Sequence, residues 1–189
     1  MDHFNGDTWR RHVRLESGQL SARPVAAIDS SGAAVRLSVP AHGLPPAWRA
    51  AVTGVALPGL TARNRPPAVD DFYQVMAIDQ NTLEVINVSG AGWPRYTGGA
   101  VLQFGAPLDL AGVSARATFR QPGGQPLLVL SQAPALVVET GGVWITAPPA
   151  DTARWPSGPM VCALELTWPD GAVRTVIAGR FTVKEPGDG

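Results

Sequence analysis

The sequence predicts an all-β protein, and three observations support this prediction. The 189 residues include 21 glycines and 18 prolines, which break a chain into short pieces and leave little room for long helices. Apolar and polar residues alternate along several short segments, as they do in half-buried strands. Turn-forming residues separate these segments at hairpin spacing. About five or six short strands are expected in the first half and about seven in the second.

The first predicted strand runs from Thr8 to Leu15. Trp9, Val13 and the terminal leucine fall on one side of it, with polar residues mostly between them. Arg11 also falls on the apolar side and does not fit the pattern. The segment is therefore expected to lie half-buried in a sheet.

The next segments alternate between strand and loop. Ala33 to Val39 has the alternation of a half-buried strand, and Pro40 ends it. Ala50 to Leu57 predicts a further strand. No periodicity organises the proline- and arginine-rich stretch from Pro58 to Pro67, which is expected to be an exposed loop.

Hairpins are predicted in both halves of the chain, and in the second half Ser114 to Arg120 is expected to pair with Leu127 to Leu130 across the turn between them. Phe72 to Ile78 and Thr82 to Ile86 flank a polar connector of three residues. Met160 to Trp168 and Ala172 to Val176 flank Pro169-Asp170-Gly171, whose Asp-Gly pair supplies the positive backbone angles of a tight turn. Gly179 to Val183 is expected to be the last strand.

Charge and hydropathy exclude several classes of protein. Lys plus Arg number 15 and Asp plus Glu number 15, so the surface offers no basic field for a nucleic-acid backbone. Apolar runs such as Leu127 to Leu130 are far shorter than the roughly 20 residues of a membrane span. Residues 1–14 lack the apolar centre of a secretory signal. No nucleic-acid partner, membrane insertion or export by that route is expected.

Catalytic and metal-binding motifs are not recognised. The three histidines, His3, His12 and His42, have no zinc-ligand spacing, and no serine lies in a G-x-S-x-G elbow. Cys162 is the sole cysteine and is expected to be buried and inert. The sequence therefore predicts no enzyme, no catalytic residue, no metal and no cofactor.

Carboxylates near strand ends leave one enzymatic alternative open. These are Asp70, Asp71, Asp79 and Glu84. A hydrolase, such as a glycosidase, uses two carboxylates within about 10 Å of each other. Solvated turn residues are the expected role of these four side chains.

Two stretches in the second half resemble a known family. Pro107 to Arg120 reads P-L-D-L-A-G-V-S-A-R-A-T-F-R, which resembles the D-L-(T/A)-G-x-(S/T)-A-R-x-x-x-R stretch of immunoglobulin-like domains in tailed-phage baseplate and tail proteins. Ala163 to Gly171, followed by Ile177 to Val183, is similar to the ending of those domains. The resemblance implies an immunoglobulin-like β-sandwich without catalytic residues.

The opening motif of that family lies unusually far upstream in this chain. Gly6 to Leu15 is similar to G-D-(T/D)-(F/W)…V-x-L, which in the family comes only a few residues before the D-L-x-G stretch. An inserted domain explains the separation. Residues 1–20 and 105–186 are then expected to form one sandwich, residues 21–104 an inserted domain, and residues 187–189 a tail.

The insert resembles a second, less distinctive group. Pro40-Ala41-His42-Gly43-Leu44, Phe72-Tyr73-Gln74-Val75 and Tyr96-Thr97-Gly98-Gly99 are similar to small β-barrel domains of phage tail proteins and, more distantly, of ubiquitin-activating enzymes. The full fold prediction is an immunoglobulin-like β-sandwich with an inserted small β-barrel.

The resemblance implies a bacteriophage virion structural protein of the tail, baseplate or neck region. Made in the bacterial cytoplasm, it would act in the virion as an adaptor or decoration module. Its partners would be other virion proteins, in a symmetric homo-oligomer or as a ring-bound subunit. The candidate contact residues are Trp48, Trp93, Tyr96 and Trp155.

Tryptophans leave a second function open. Trp48, Trp93 and Trp155 lie beside prolines in predicted loops, where exposed rings suit a subunit contact or a glycan platform. Packing of these rings onto the core is the structural alternative. The functional alternative is a carbohydrate-binding module of a receptor-binding device, in which Trp48 and Trp93 grip host glycans.

Overall fold

The computed structural model describes residues 2–32 and 34–185, and it confirms the all-β prediction. Strands make up 52% of the described residues and helices 4%. A 3-10 turn spans Val69–Asp71 and helix α1 spans Pro149–Thr152, each a single turn or less. Short strands and turns therefore carry the fold, as the glycine and proline content indicates.

The strands of the described residues are numbered in chain order. They are β1 (Asp2–Phe4), β2 (Trp9–Arg14), β3 (Glu16–Pro24), β4 (Ala27–Asp29), β5 (Val35–Ser38), β6 (Ala47–Thr53), β7 (Tyr73–Asp79), β8 (Thr82–Val85), β9 (Val101–Pro107), β10 (Ser114–Arg120), β11 (Pro126–Leu130), β12 (Leu136–Glu139), β13 (Gly142–Ala147), β14 (Gly158–Thr167) and β15 (Val173–Lys184).

The chain divides into two compact domains. The discontinuous domain comprises Met1–Leu15 and Leu108–Gly189, and the inserted domain comprises Glu16–Pro107. The sequence placed the junctions at 20/21 and 104/105, a few residues away. The difference arises because β3 already pairs with β9 where Glu16 faces Pro107. Residues 186–189, including the predicted tail 187–189, lie outside the described residues.

The discontinuous domain contains two sheets around one core. The first sheet has the strand order β1-β15-β14-β10-β11 and the second has the order β12-β13-β2. Trp9 of the second sheet meets Phe119 of the first edge to face, with ring centroids 5.0 Å apart. Apolar residues from both sheets form one cluster. The arrangement is sandwich-like, since two sheets bury their inner faces against each other.

The predicted strand at Thr8 to Leu15 appears as β2. Trp9, Val13 and Leu15 are buried, whereas Arg11 is exposed. Gly171, at a φ of 84°, closes the predicted turn between β14 and β15. The two strands predicted beyond this turn are one strand, β15, whose pairing with β14 shifts between Cys162 and Ala163.

The inserted domain is a single curled sheet. Its strand order is β3-β9-β6-β7-β8-β5-β4. Strands β3 and β4 lie at opposite ends of this order although they follow each other in the chain. Val25 donates its N–H to Ala100, beside β9, and Ala26 donates to Ser38 of β5. Residues 16–29 therefore bring the sheet back towards its start, as in a partly closed barrel.

The core of the inserted domain follows the predicted alternation. Val35, Leu37 and Val39 are fully buried, while Ala33 lies outside the described residues. The predicted hairpin forms from β7 and β8. The strand predicted from Ala50 to Leu57 begins earlier, at Ala47, because β6 pairs with β7 from that residue onwards. This register places Trp48 in the sheet.

Candidate functional site

Half of the exposed large apolar side chains in the described residues lie on one sheet surface, which we call the outer face. It is the side of the five-stranded sheet directed away from the core. Ala117, Phe119 and Leu164 point inward, so their strand neighbours point outward. The exposed residues, with their exposed fractions, are Phe4 (37%), Leu127 (49%), Val129 (41%), Val173 (59%) and Ile177 (58%). Clustered exposed apolar groups of this kind mark interaction surfaces.

Strand register arranges the outer face in rows. Ile177, Ala163, Thr118 and Val129 are successive partners across β15, β14, β10 and β11. They form a mainly apolar row, which we call the apolar row, and its one polar group is the hydroxyl of Thr118. Cross-strand partners have side chains close enough to form one continuous contact surface. The row therefore crosses four strands without a charged group.

Charged residues lie on either side of the apolar row. On one side Arg180 and Arg120 flank Val161, and on the other Glu165 lies beside Arg116. Neighbouring opposite charges in a sheet attract, so Glu165 offsets part of the charge of Arg116. Among the described residues, neither Arg120 nor Arg180 forms an ion pair. The outer face therefore has an apolar row with charged residues along both of its margins, and Phe4 and Val173 lie beyond these charged residues.

Strand β11 forms an open edge of this sheet. Its five residues, P-L-L-V-L, include no charged side chain. The edge strand β2 of the other sheet carries three arginines, and the edge strand β12 carries Glu139. Charged side chains on edge strands oppose pairing with another chain. In β11 the only residue that opposes such pairing is Pro126, at the start of the strand. The rest of β11 is therefore suited to contact with another protein.

Two of the candidate contact residues are buried, so packing onto the core, and not an exposed contact, describes these two rings. Trp48 is 0% exposed and its Nε1–H donates to the carbonyl oxygen of Gly105 at 2.9 Å. Trp155 is 3% exposed and stacks on Phe119 with centroids 5.0 Å apart. Both rings fill cores, because the strand or turn beside each proline directs them inward. Neither ring is accessible for a subunit contact or a glycan.

The other two predicted contact residues are half-buried. Trp93 packs against the core of the inserted domain. The hydroxyl of Tyr96 donates to the carbonyl oxygen of Val25 at 2.8 Å and accepts the N–H of Ala100 at 3.1 Å. Tyr96 thus fastens the loop before β9 to the end of β3. Of the two tryptophans proposed to grip glycans, only Trp93 retains an accessible surface.

Trp144 occupies a polar setting on the outside of the three-stranded sheet. The guanidinium of Arg10 lies 4.4 Å from the ring centroid, and the ring of His12 stacks at 4.5 Å. Its Nε1–H donates to Glu139 at 2.9 Å. His12 Nε2 lies 3.4 Å from the same carboxylate without making a hydrogen bond. Two neighbours already cover the ring, so it offers no open stacking platform.

Asp71 organises the loop that the sequence left irregular. Its carboxylate accepts the backbone N–H groups of Arg63, Asn64 and Ala68 and the side-chain amide of Asn64, at 2.8–3.2 Å. These hydrogen bonds, led by that from Arg63, lower the pKa of Asp71 to about 2. The expectation of a solvated turn residue is wrong here, because Asp71 is only 4% exposed. Its carboxylate serves a structural role.

A cleft of about 660 Å³ lies beside this loop in the inserted domain. Leu20, Val69 and Phe72 contribute apolar walls. Arg49 forms an ion pair with Glu16 and lies over the ring of Phe72, 5.1 Å from its centroid. Because a carboxylate already neutralises this guanidinium, the cleft presents mainly apolar surface.

Histidine and cysteine side chains have identifiable structural settings. The Nδ1 of His42 accepts the N–H of Leu44 at 3.0 Å, and its Nε2 lies 2.7 Å from the carbonyl oxygen of Asp79. His42 thus fixes the turn before β6. Burial lowers the pKa of His3 and raises the pKa of Cys162 to about 12. A thiol with this pKa stays protonated and unreactive.

Residues 2–32 and 34–185 contain neither a metal-ligand cluster nor a membrane-spanning helix. There, no three side chains of His, Cys, Asp or Glu are grouped as metal ligands would be. No helix in the same segments has the length and hydropathy of a bilayer crossing.

Comparison with known proteins found no family model, no curated protein and no solved structure that matches this chain.

Sequence reasoning missed the outer face. The signal that could have found it is the uninterrupted apolar run Leu127 to Leu130, which places apolar side chains on both sides of its strand.

Proposed function

We propose that this chain is a structural protein of a tailed-phage virion, from the tail, baseplate or neck region. It acts there as an adaptor or decoration module within a symmetric assembly. The observation that carries the proposal is the outer face, with five exposed large apolar residues beside the uncharged open edge β11. Surfaces of this kind are expensive to leave in water and are typical of protein contacts.

The sequence resemblance supports the same conclusion. The stretch Pro107 to Arg120, which resembles immunoglobulin-like domains of tail proteins, includes all of β10, the strand beside β11. The similar ending, Ala163 to Gly171 and Ile177 to Val183, covers the second half of β14 and more than half of β15. The resembling segments therefore build the sheet that presents the outer face, which links the proposed family to the proposed contact.

Purified particles of a phage that encodes this chain provide the test. The chain should sediment with the particles, appear in their mass spectrum at a fixed copy number, and occupy repeated density in a cryo-electron microscopy map. Particles from a phage lacking the gene should be incomplete at one defined substructure. A chain that stays in the soluble lysate, with particles assembling normally without it, would refute the proposal.

A further inference from the structure

The margin of the outer face has unpaired positive charge. Arg116 lies beside Glu165, and Lys184 forms an ion pair with Asp2 at 2.9 Å. These pairs leave Arg120 and Arg180 as the cations of the face without an acidic neighbour among the described residues. Both are exposed and flank Val161, two strand spacings apart, which is about 10 Å. A matching surface needs two carboxylates and apolar groups.

The same domain carries two exposed carboxylates at the opposite end of the same strands. Asp109 precedes β10, and Asp170 lies in the turn between β14 and β15. Strand register places Ser114 opposite Thr167, which brings these two loops to one end of the sheet. They are in contact, since a Cβ added at Gly112 would lie 3.1 Å from the ring of Pro169.

These two loops form a rigid, acidic and partly apolar end, which we call the acidic end. Asp109 accepts the N–H of Ala111 at 3.0 Å, and Asp170 accepts the N–H of Ala172 at 2.9 Å. Each bond uses one carboxylate oxygen and leaves the other available. Segments 108–113 and 168–172 contain no Lys or Arg, and the exposed Val173 adjoins them.

We propose that the outer face binds the acidic end of a second copy of this chain. Asp109 and Asp170 of one copy lie against Arg120 and Arg180 of the next, and Pro169 covers the apolar row. Arg–carboxylate pairs at such a contact set its orientation. Because the two surfaces differ, the contact repeats from copy to copy and generates a ring or an open filament. This inference rests on the proposed function as an assembly module, and it names the neighbour.

Charge-reversal variants test the contact by sedimentation velocity over a concentration series reaching the millimolar range. Wild-type protein should self-associate, less so at high salt. Arg120→Glu with Arg180→Glu, and separately Asp109→Arg with Asp170→Arg, should each weaken self-association by at least about tenfold. Mixing the two variants restores opposite charges at every contact, so the mixture should associate again.

Matched controls lie in the inserted domain. Ile177→Asp should weaken self-association, whereas Ile78→Asp, at a residue of similar exposure, should not. Arg23→Glu with Arg95→Glu reverses two exposed arginines away from the face and should behave as wild type. If circular dichroism shows that a charge-reversed variant is unfolded, a milder variant replaces it. The milder variants are Arg120→Gln with Arg180→Gln, and Asp109→Asn with Asp170→Asn.

Any of three results would overturn the inference. One is wild-type protein that stays monomeric at every concentration. Another is self-association that Ile177→Asp leaves unchanged, and the third is a mixture of reversed variants that fails to associate. The proposed function fails separately: if the mixture associates but phage particles assemble without the chain, the contact survives and the virion role does not. If particles contain the chain and Ile177→Asp is incorporated normally, the role survives and this contact does not.

Discussion

The two domains treat the outsides of their sheets differently. In the discontinuous domain, a five-stranded sheet ends at the open strand β11 and leaves its outer face apolar. In the inserted domain, residues 16–29 return the sheet towards its start, and the exposed large apolar residues are divided among β3, β7 and the loop at Val69. A sheet that curls towards closure protects its edge strands, whereas an open sheet leaves its edge strands unpaired. Assembly contacts are therefore expected from the discontinuous domain.

The cores of the two domains also differ. Phe119 is surrounded by the rings of Trp9, Trp155 and Phe181 at centroid distances of 5.0–6.5 Å. In the inserted domain Trp48 is fully buried among mainly aliphatic side chains and is held by a hydrogen bond. One core thus depends on aromatic packing and the other on aliphatic packing with one polar anchor. A substitution in one core should therefore lower the stability of that domain and leave the stability of the other unchanged.

Phe119→Ala should have the largest effect. It removes a fully buried ring that contacts three aromatic neighbours, so the discontinuous domain should lose about 3–5 kcal/mol of unfolding free energy. Urea unfolding monitored by hydrogen exchange checks this loss. The protection of backbone amides against exchange should fall in β10, β14 and β15. A loss below about 1 kcal/mol would contradict the packing assigned to Phe119. An equal loss in β5 to β8 would show that the two cores are not separate.

Trp48→Phe should destabilise the inserted domain by about 1–3 kcal/mol, because the carbonyl oxygen of Gly105 loses its buried donor. Trp144→Phe is the matched control. It also removes an indole donor, but the bond to Glu139 is exposed, so the loss should stay below about 1 kcal/mol. Equal losses in urea unfolding would contradict the burial assigned to Trp48.

Asp71→Asn should loosen the loop from residue 58 to residue 71 and lower the melting temperature of the inserted domain by several degrees, because the amide replaces one accepting oxygen with a donor. The folded pKa of about 2 is below the reference 3.8, so the carboxylate stabilises the fold above about pH 3.8 and loses that effect as pH falls towards 2. Melting curves recorded against pH should show this acid decline in wild type but not in Asp71→Asn. Asp70→Asn, at an exposed neighbour, is the control.

His3 should give a smaller and differently placed pH effect in the discontinuous domain. Burial lowers its pKa from 6.5, so the folded state resists protonation. Its contribution to stability is intact above about pH 6.5 and declines as pH falls below that value. His3→Leu should flatten the melting temperature between about pH 7 and pH 5. Burial also lowers the pKa of His12, so His12→Leu distinguishes the two contributions.

The sequence predicted the strands better than the surfaces. Alternation located β2 and β5, and the Asp-Gly pair located the turn at Gly171, because each is a local consequence of backbone geometry. The faces of β15 were harder to predict. A register shift opposite Cys162 and Ala163 buries both Ala178 and Gly179, which reverses the alternation and exposes Ile177.

Tryptophan burial could not be predicted from neighbouring prolines. Pro46 precedes β6 directly, so Trp48 is the second residue of a central strand rather than part of a loop. Trp155 follows α1, which turns its ring onto Phe119. Both positions depend on contacts with residues far away in the chain. The hydrogen bonds of Asp71 arise in the same way, from a loop that has no periodicity.

A cryo-electron microscopy map of the assembled protein tests the central claim most directly. The outer face should be covered, with Ile177 and Val129 under a neighbouring molecule and the outside of β7 in the inserted domain left in solvent. A map in which Ile177 and Val129 face solvent, while the inserted domain makes the repeated contacts, would contradict the account.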